Sequence, residues 1–294
     1  MILCLADKRN VTIRAISSHL QALGQDILWL DTADFIQNVV VSDKIIDGLA
    51  EVTWTIYDRV VSPQTTSGVL NFLYHVPLSV CEEFGDNDRD YVRHEWEAYL
   101  RFAINQYSNV INPPWGGSLS GFCQSLPYQW MFIKKSSQDI LVPEWTFSPL
   151  NRLSDYARHN CNLIISENIY DGKHWITKHD TSNLEDKWFL FYQRPQGIPQ
   201  IVTALDEHLW IEPLGGSREK TKFNEQSIRE ICRLCMNHYQ LRLAHFLFFF
   251  DPYQNTITFG SCGAGVQIGN LPPTEREQFV EIIGRKLIGA QELE

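Results

Sequence analysis

The sequence predicts an α/β (α+β) protein, with a parallel sheet at the amino terminus followed by a two-lobed α+β region. Three stretches carry that reading. Residues 2–30 run strand, helix, strand. Residues 109–146 run short strand, Asn-Pro corner, Gly/Ser-rich loop, helix, Val-Pro strand. Residues 245–259 form an apolar hairpin set between two amphipathic helices.

Residues 2–5 are a short apolar strand. Residues 12–23 place Ile13, Ile16, Leu20 and Leu23 at three- and four-residue steps, the period of an amphipathic helix, and Gly24 stands where a helix ends. Residues 26–30 are the next strand, and a β-α-β start implies parallel pairing with a right-handed crossover. Asp7, Lys8, Arg9 and Asn10 follow the first strand in place of a glycine fingerprint, which argues against a Rossmann dinucleotide site. Residues 39–41 and 53–57 read as strands, with Asp58 and Arg59 at the carboxyl end of the second, where open α/β sheets place ligands. Arg59 has two readings, a contact to a substrate carboxylate or phosphate and a salt bridge in a turn. Residues 91–103 form a helix with Trp96, Leu100, Phe102 and Ala103 on its apolar side. Its Arg93, Glu95, Glu97 and Arg101 read as a solvated, ion-paired face.

In the central stretch, Trp115 and Trp130 flank the loop, either to stack on a ligand or as core. Residues 161–165 and 173–177 read as two strands joined by a turn at Asp171 and Gly172. Residues 188–192 are a compact apolar strand, and the polar linker from Gln193 to Gly197 leads to a hairpin, 201–204 and 208–211, around Asp206 and Glu207. Residues 215–222 read as a mobile loop. Residues 223–239 are a long helix with Asn224 as its N-cap. Residues 245–250 are almost wholly apolar, which predicts a strand buried on both faces. Asp251 opens a turn, 256–259 return, and 274–288 close the chain as a helix. The domain division is 1–113, 114–212 with a hinge near 190–200, and 213–294.

A chain of 294 residues with 44% hydrophobic and 20% charged content is ordinary for a soluble protein. The formal charge of -10 speaks against nucleic acid as a partner, because phosphate binding needs a basic footprint. No apolar run reaches the ~20 residues that span a bilayer, so no membrane partner is expected. The apolar start at residues 1–6 is shorter than a secretory core, and its charges follow it. Seven scattered cysteines, an odd number, fit reduced thiols and a cytoplasmic protein better than a disulfide framework. Cys232 and Cys235, with Cys262 and His238, read as a metal site or, more simply, as buried helix cysteines. Oligomeric state is left open.

The order and length of residues 110–146 resemble the start of the nucleotide-binding half of ATP-grasp ligases of the RimK and peptide-ligase type. Tyr91, Glu95 and Ala98 match a Tyr-x-x-x-Glu-x-x-Ala helix found in that group, and the strand, linker and hairpin of 188–211 resemble its adenine hinge. The resemblance implies a pre-ATP-grasp domain and a two-lobed ATP-grasp domain. It also implies ATP and Mg as cofactors, and an acyl phosphate that an amine of a peptide or amino-acid substrate attacks. Its metal ligands are an Asp after a run like Leu-Gly-Leu, matched by Leu241, Arg242 and Leu243, and a later Glu-x-Asn. Those positions hold Phe249, Gly260 and Cys262. None is a hard oxygen ligand, so no metal residue is assigned and Mg is doubtful. Asp251 precedes Pro252 and reads as a turn residue. The helix lysine falls near Cys123 or Tyr128. Lys134 and Lys135 sit at the helix end, where cations suit the dipole, and Lys173 or Lys178 stands for the small-lobe lysine. The candidate site is therefore Arg59 and Arg194 as catalytic charges, with Lys134, Lys178, Gln193 and Gly197 as nucleotide contacts.

Three readings follow. One is a degenerate ATP-grasp protein that binds a peptide, a nucleotide or a partner ligase in an interlobe cleft. Another is an active carboxylate–amine ligase with charges recruited from Arg59, Arg194, Arg218, Glu212 or Asp206. The third is an unrelated α/β binding protein.

Overall fold

The structure is a computed structural model, and it describes residues 1–7, 9–47, 49–121, 124–149, 163–166, 188–213, 225–266 and 268–289. The chain separates into two compact units, one of Met1–Phe122, Met236–Leu243 and Ala264–Glu294, the other of Cys123–Cys235 and Ala244–Gly263.

The first unit opens with β1 (Ile2–Leu5), α1 (Val11–Ala22) and β2 (Ile27–Leu30). Asn10 caps α1 by accepting from the Ile13 amide, and α2 (Thr32–Asn38) starts with a reciprocal Asp31–Asp34 capping box. Five short strands follow: β3 (Val40–Val41), β4 (Lys44–Ile46), β5 (Leu49–Glu51), β6 (Trp54–Ile56) and β7 (Arg59–Val61). Then come β8 (Gly68–Asn71), α3 (Arg89–Ile104) and β9 (Val110–Ile111). The sheet order is β2-β1-β8-β9 with every pairing parallel, as the β-α-β start predicts. All four residues of β1 are buried, as parallel strands covered on both faces must be. Phe35, Trp54, Trp96 and Tyr99 form an aromatic cluster in the core.

The position of Arg59 differs from expectation. β3, β6 and β7 form an antiparallel sheet, and Tyr57 and Asp58, both at positive φ, make the hairpin turn before it. Arg59 thus begins a strand of a hairpin and is not at the carboxyl end of a parallel one. Alternating polarity over three residues cannot separate the two.

The helix α3 also does more than expose charge. Arg93 pairs with Asp90 and Arg101 with Glu97, as i,i+3 and i,i+4 spacing allows. Glu97 in addition accepts from the Val76 amide, and Arg101 donates to the Gly117 carbonyl, so the face tethers two loops.

The second unit holds α4 (Leu126–Ser136), β10 (Ile140–Leu141), β11 (Trp145–Pro149), β12 (Leu163–Ser166) and β13 (Trp188–Gln193). It continues with β14 (Ile198–Leu205), β15 (His208–Pro213) and α5 (Glu225–His238), which leads to the last hairpin, β16 (Leu243–Asp251) and β17 (Thr256–Gly263). The closing helix is α6 (Pro273–Ile288), which packs on α1 in the first unit. The second unit has a five-stranded sheet, β10-β17-β16-β14-β15, and a three-stranded antiparallel sheet, β11-β13-β12. Among the described residues no helix is long and apolar enough to cross a membrane. The strand expected at 173–177, the loop at 215–222 and the Asn224 cap lie outside the described residues.

Candidate functional site

The candidate site is built around the last hairpin. Phe246, Phe248 and Phe250 of β16 are buried, while His245, Leu247 and Phe249 are half-buried. The strand therefore alternates, which corrects the expectation of burial on both faces. An all-apolar composition hides the period because Leu247 and Phe249 carry no polar mark, and His245 is the only sign of the open face. On β17, Ile257, Phe259 and Cys262 are buried, and Ser261 and Gly263 are half-buried.

A β-bulge lies between Leu247 and Phe248: Leu247 opposes Ser261, while Phe248 opposes Phe259, so Gly260 is the extra residue. The bulge frees backbone groups, and α4 satisfies them. Trp130 Nε1 donates to the Gly260 carbonyl at 2.7 Å, and Gln129 Oε1 accepts from the Cys262 amide at 2.8 Å. Gln129 is held in turn by its own donation to the Gln124 carbonyl. Trp130 is buried with its ring 5.1 Å from that of Tyr192, so it is core and no ligand stack. Trp115 is half-buried, with its ring 5.9 Å from that of Tyr239 in the first unit.

The open face of the hairpin is aromatic laid on glycine. A methyl group at Gly260 would lie 2.9 Å from Phe249 Cε2, and one at Gly263 would lie 2.8 Å from His245 Cε1. Behind the sheet, Cys232, Cys235 and Cys262 are all buried as free thiols, and Cys262 hydrogen bonds to Cys235. Burial pushes the Cys232 and Cys262 thiols well up, and the neighbouring cysteines add to the shift at both. Among the described residues no group of three or more His, Cys, Asp or Glu side chains is placed to hold a metal.

The hinge segment is built on Glu144. The Gln193 amide donates to its carbonyl at 2.9 Å and the Gln193 side chain donates to its carboxylate at 3.1 Å. Arg194 is exposed. Gly197 has φ of +104°, and a side-chain carbon there would fall 2.3 Å from the Phe250 carbonyl oxygen. Only glycine permits both that conformation and that approach of the hinge to β16. The hairpin after it turns at Asp206, at positive φ, as the sequence predicts, and Glu212 is half-buried in β15.

The remaining candidates are scattered. Lys134 and Lys135 are exposed in the last turn of α4. Lys173, Lys178 and Arg218 lie outside the described residues. Arg59 belongs to the first unit, where its guanidinium pairs with Asp26 and also touches Met1 Sδ. Asp251 is a turn residue: its Oδ1 accepts from the Tyr253 and Gln254 amides at 2.8 and 3.2 Å.

No family model and no curated sequence matches the chain. Solved structures do. The macrocyclase MdnC bound with precursor peptide MdnA, from Microcystis aeruginosa MRC, superimposes with a TM-score of 0.74 at 15% identity over 98% of this chain and 99% of that one. The chain has the ATP-grasp fold. The ATP-grasp ligase PsnB complexed with minimal precursor, Mg and ADP gives a TM-score of 0.67 at 12% identity over 97% of this chain and 98% of that one. A RimK domain ATP-grasp protein from Sphaerobacter thermophilus DSM 20745 gives 0.58 at 10% identity over 98% of this chain and 99% of that one.

The ATP-grasp fold implies ATP and Mg, and the residues present can be tested against them. Magnesium takes oxygen ligands in octahedral geometry, commonly one or two carboxylates. The open face of this ATP-grasp hairpin offers His245, Leu247, Phe249, Thr258, Ser261 and two glycines, and its carboxylate, Asp251 at the turn end, already accepts from the Tyr253 and Gln254 amides. Whether Leu247 or Phe249 occupies the position of the ligating Asp, no carboxylate stands there. Among the described residues, those of the hairpin do not fit the metal.

Proposed function

We propose that this chain is a degenerate ATP-grasp protein, a pre-ATP-grasp domain (1–113) followed by two ATP-grasp lobes (114–212 and 213–294), that binds a peptide without Mg-dependent phosphoryl transfer. The observation that carries this reading is the open face of the last hairpin. Where acyl-phosphate chemistry needs carboxylates to hold Mg against the phosphates, this face presents Leu247 and Phe249, with Gly260 beneath the Phe249 ring. A peptide is favoured as ligand because structural neighbours are solved with precursor peptides, MdnC with MdnA and PsnB with its minimal precursor. A half-buried apolar strand face also suits peptide side chains better than a solvated triphosphate. A nucleotide held through the hinge near Gln193 and Gly197, or a partner ligase, are other occupants of the same scaffold. The free, buried thiols support a cytoplasmic setting.

The test is calorimetric titration with ATP in the presence and absence of Mg, joined to a phosphate-release assay with candidate peptides. The expected result is no Mg-dependent heat and no phosphate release. Saturable Mg-ATP binding with turnover overturns the reading. It would support the second, an active carboxylate–amine ligase drawing charge from Arg59, Arg194 or Glu212. That reading is favoured by the near-complete coverage of this chain by ligases.

A further inference from the structure

We propose that Cys235 and Cys262 form a peroxide-responsive dithiol that closes to a disulfide and locks the last hairpin onto α5 from behind. The proposal goes beyond the functional reading and does not depend on it. Cys232 and Cys235 stand three residues apart on α5, which sets them on one face of the helix, and both are fully buried. Cys262 lies on β17 and is buried too. It hydrogen bonds to Cys235, and the charge of Cys232 also acts on it. All three thiols belong to the second unit.

Grouped thiols serve two chemistries, metal binding and oxidation. Metal binding requires thiolates, which burial and the neighbouring sulfurs both oppose here. Among the described residues no group of three or more such side chains is placed to hold a metal. A disulfide is neutral, so its surroundings do not penalise it. Its S–S bond is about 2 Å long, and two sulfurs already in hydrogen-bond contact need only a small approach of α5 and β17 to reach it. Cys4 differs: its sulfur meets the Ser17 hydroxyl and has no thiol to pair with there.

Hydrogen peroxide, little larger than water, is the oxidant that suits so enclosed a pair. The hydrogen bond to Cys235 strengthens the hold of Cys262 on its proton, so Cys262 donates and Cys235 accepts. Cys235 is therefore the sulfur that attacks. It breaks the peroxide O–O bond, takes one oxygen as a sulfenic acid and gives up its proton to the departing hydroxide, which leaves as water. The Cys262 sulfur then attacks the Cys235 sulfur. The S–O bond breaks, and the hydroxide leaves with the Cys262 proton as a second water. Two thiols lose two electrons, and one peroxide becomes two waters.

The bond would act on the candidate site from its buried side. Cys262 opposes Phe246, its amide is held by Gln129, and its neighbours Ser261 and Gly263 lie on the open face. The bulge residue Gly260 is two positions away.

Peptide mapping of the folded full chain, alkylated after treatment with hydrogen peroxide, tests the proposal. The expected product is a Cys235–Cys262 linked peptide that dithiothreitol removes, with Cys81 still reduced. Cys235→Ala and Cys262→Ala should each abolish the product. Amide exchange along residues 256–263 should slow roughly tenfold in the oxidised chain and recover on reduction. Glutathione disulfide, too bulky for the buried pair, should form the link far more slowly. Cys262 left reduced while Cys235 passes to sulfinic acid overturns the proposal, as does unchanged exchange in the linked chain. Equal rates with the two oxidants also overturn it, because pairing would then require the chain to unfold. Should an alanine variant misfold, the wild-type map and its exchange decide.

Discussion

Asn112 and Leu243 exchange two hydrogen bonds, the Asn112 amide donating to the Leu243 carbonyl at 2.8 Å and its Oδ1 accepting from the Leu243 amide at 2.9 Å. The same side chain donates to the Ala264 carbonyl and accepts from the Arg242 amide. One buried asparagine at the Asn-Pro corner therefore grips the chain where it enters the last hairpin and where it leaves. Its φ of +59° suits asparagine, which tolerates the left-handed region better than most residues.

Asn112→Ala should lower stability by about 4 kcal/mol, because it strands buried amide and carbonyl groups and strains the backbone at once. Asn112→Gly relieves the strain and keeps the unpaired groups, so it should lose about 3 kcal/mol. Urea denaturation measures both. Equal, small losses would show that the corner is not held by this side chain.

Trp130→Phe keeps an aromatic ring but removes the donor to the Gly260 carbonyl. A loss of about 2 kcal/mol is expected, read as a shift in thermal midpoint. If the midpoint of this variant stays at the wild-type value, the bulge carbonyl finds another donor and α4 does not fix the hairpin.

Gly197→Ala should cost about 3 kcal/mol, since it combines positive φ with a clash against the Phe250 carbonyl. Gly24→Ala, also at positive φ but with open space around its side-chain position, should cost about 1 kcal/mol. The contrast between the two, measured by urea denaturation, separates backbone strain from contact. Losses of the same size would place the hinge away from β16.

Where a period was long enough, the sequence disclosed the fold. The helices at 12–23 and 91–103 show their faces plainly, and Gly24 marks an end. Where faces depend on partners, it did not. Residues 39–41 and 53–57 read as two separate strands because the residues between them, Asp43 to Glu51, mix charge with isoleucine. The Asp-Gly pair at 47 and 48 is the hairpin turn signal in that stretch. Asn112 was legible as a corner, but its bonds reach residues about 130 positions away, beyond any local pattern. Gln129 and Trp130 likewise serve a bulge on β17 that no residue of α4 announces.

The side chains on the open face of the hairpin predict their own repair. Phe249→Asp together with Gly260→Glu removes the ring that a side chain at position 260 would meet and sets two carboxylates on the open face. This variant should bind Mn with an affinity of about 1 mM, seen by electron paramagnetic resonance, whereas the wild type should bind none at that concentration. Equal Mn binding by the wild type would mean that oxygen ligands reach the face from elsewhere in the chain.

Cys4 provides a pH prediction with a definite sign. It is fully buried in β1 beside Ser17, and burial pushes its thiol from an ordinary 9.0 up to about 11, the Ser17 contact opposing. The folded state therefore holds the proton more tightly than the unfolded one. The stabilisation is complete below pH 9.0 and is lost as pH rises from there through about 11. Between pH 7 and pH 10.5 the loss from this one group should be about 2 kcal/mol. Cys4→Ala should flatten the alkaline fall in the urea midpoint by about that amount, even if it lowers stability at pH 7 through lost packing. An alkaline fall identical in the two proteins would show that Cys4 ionises as readily folded as unfolded.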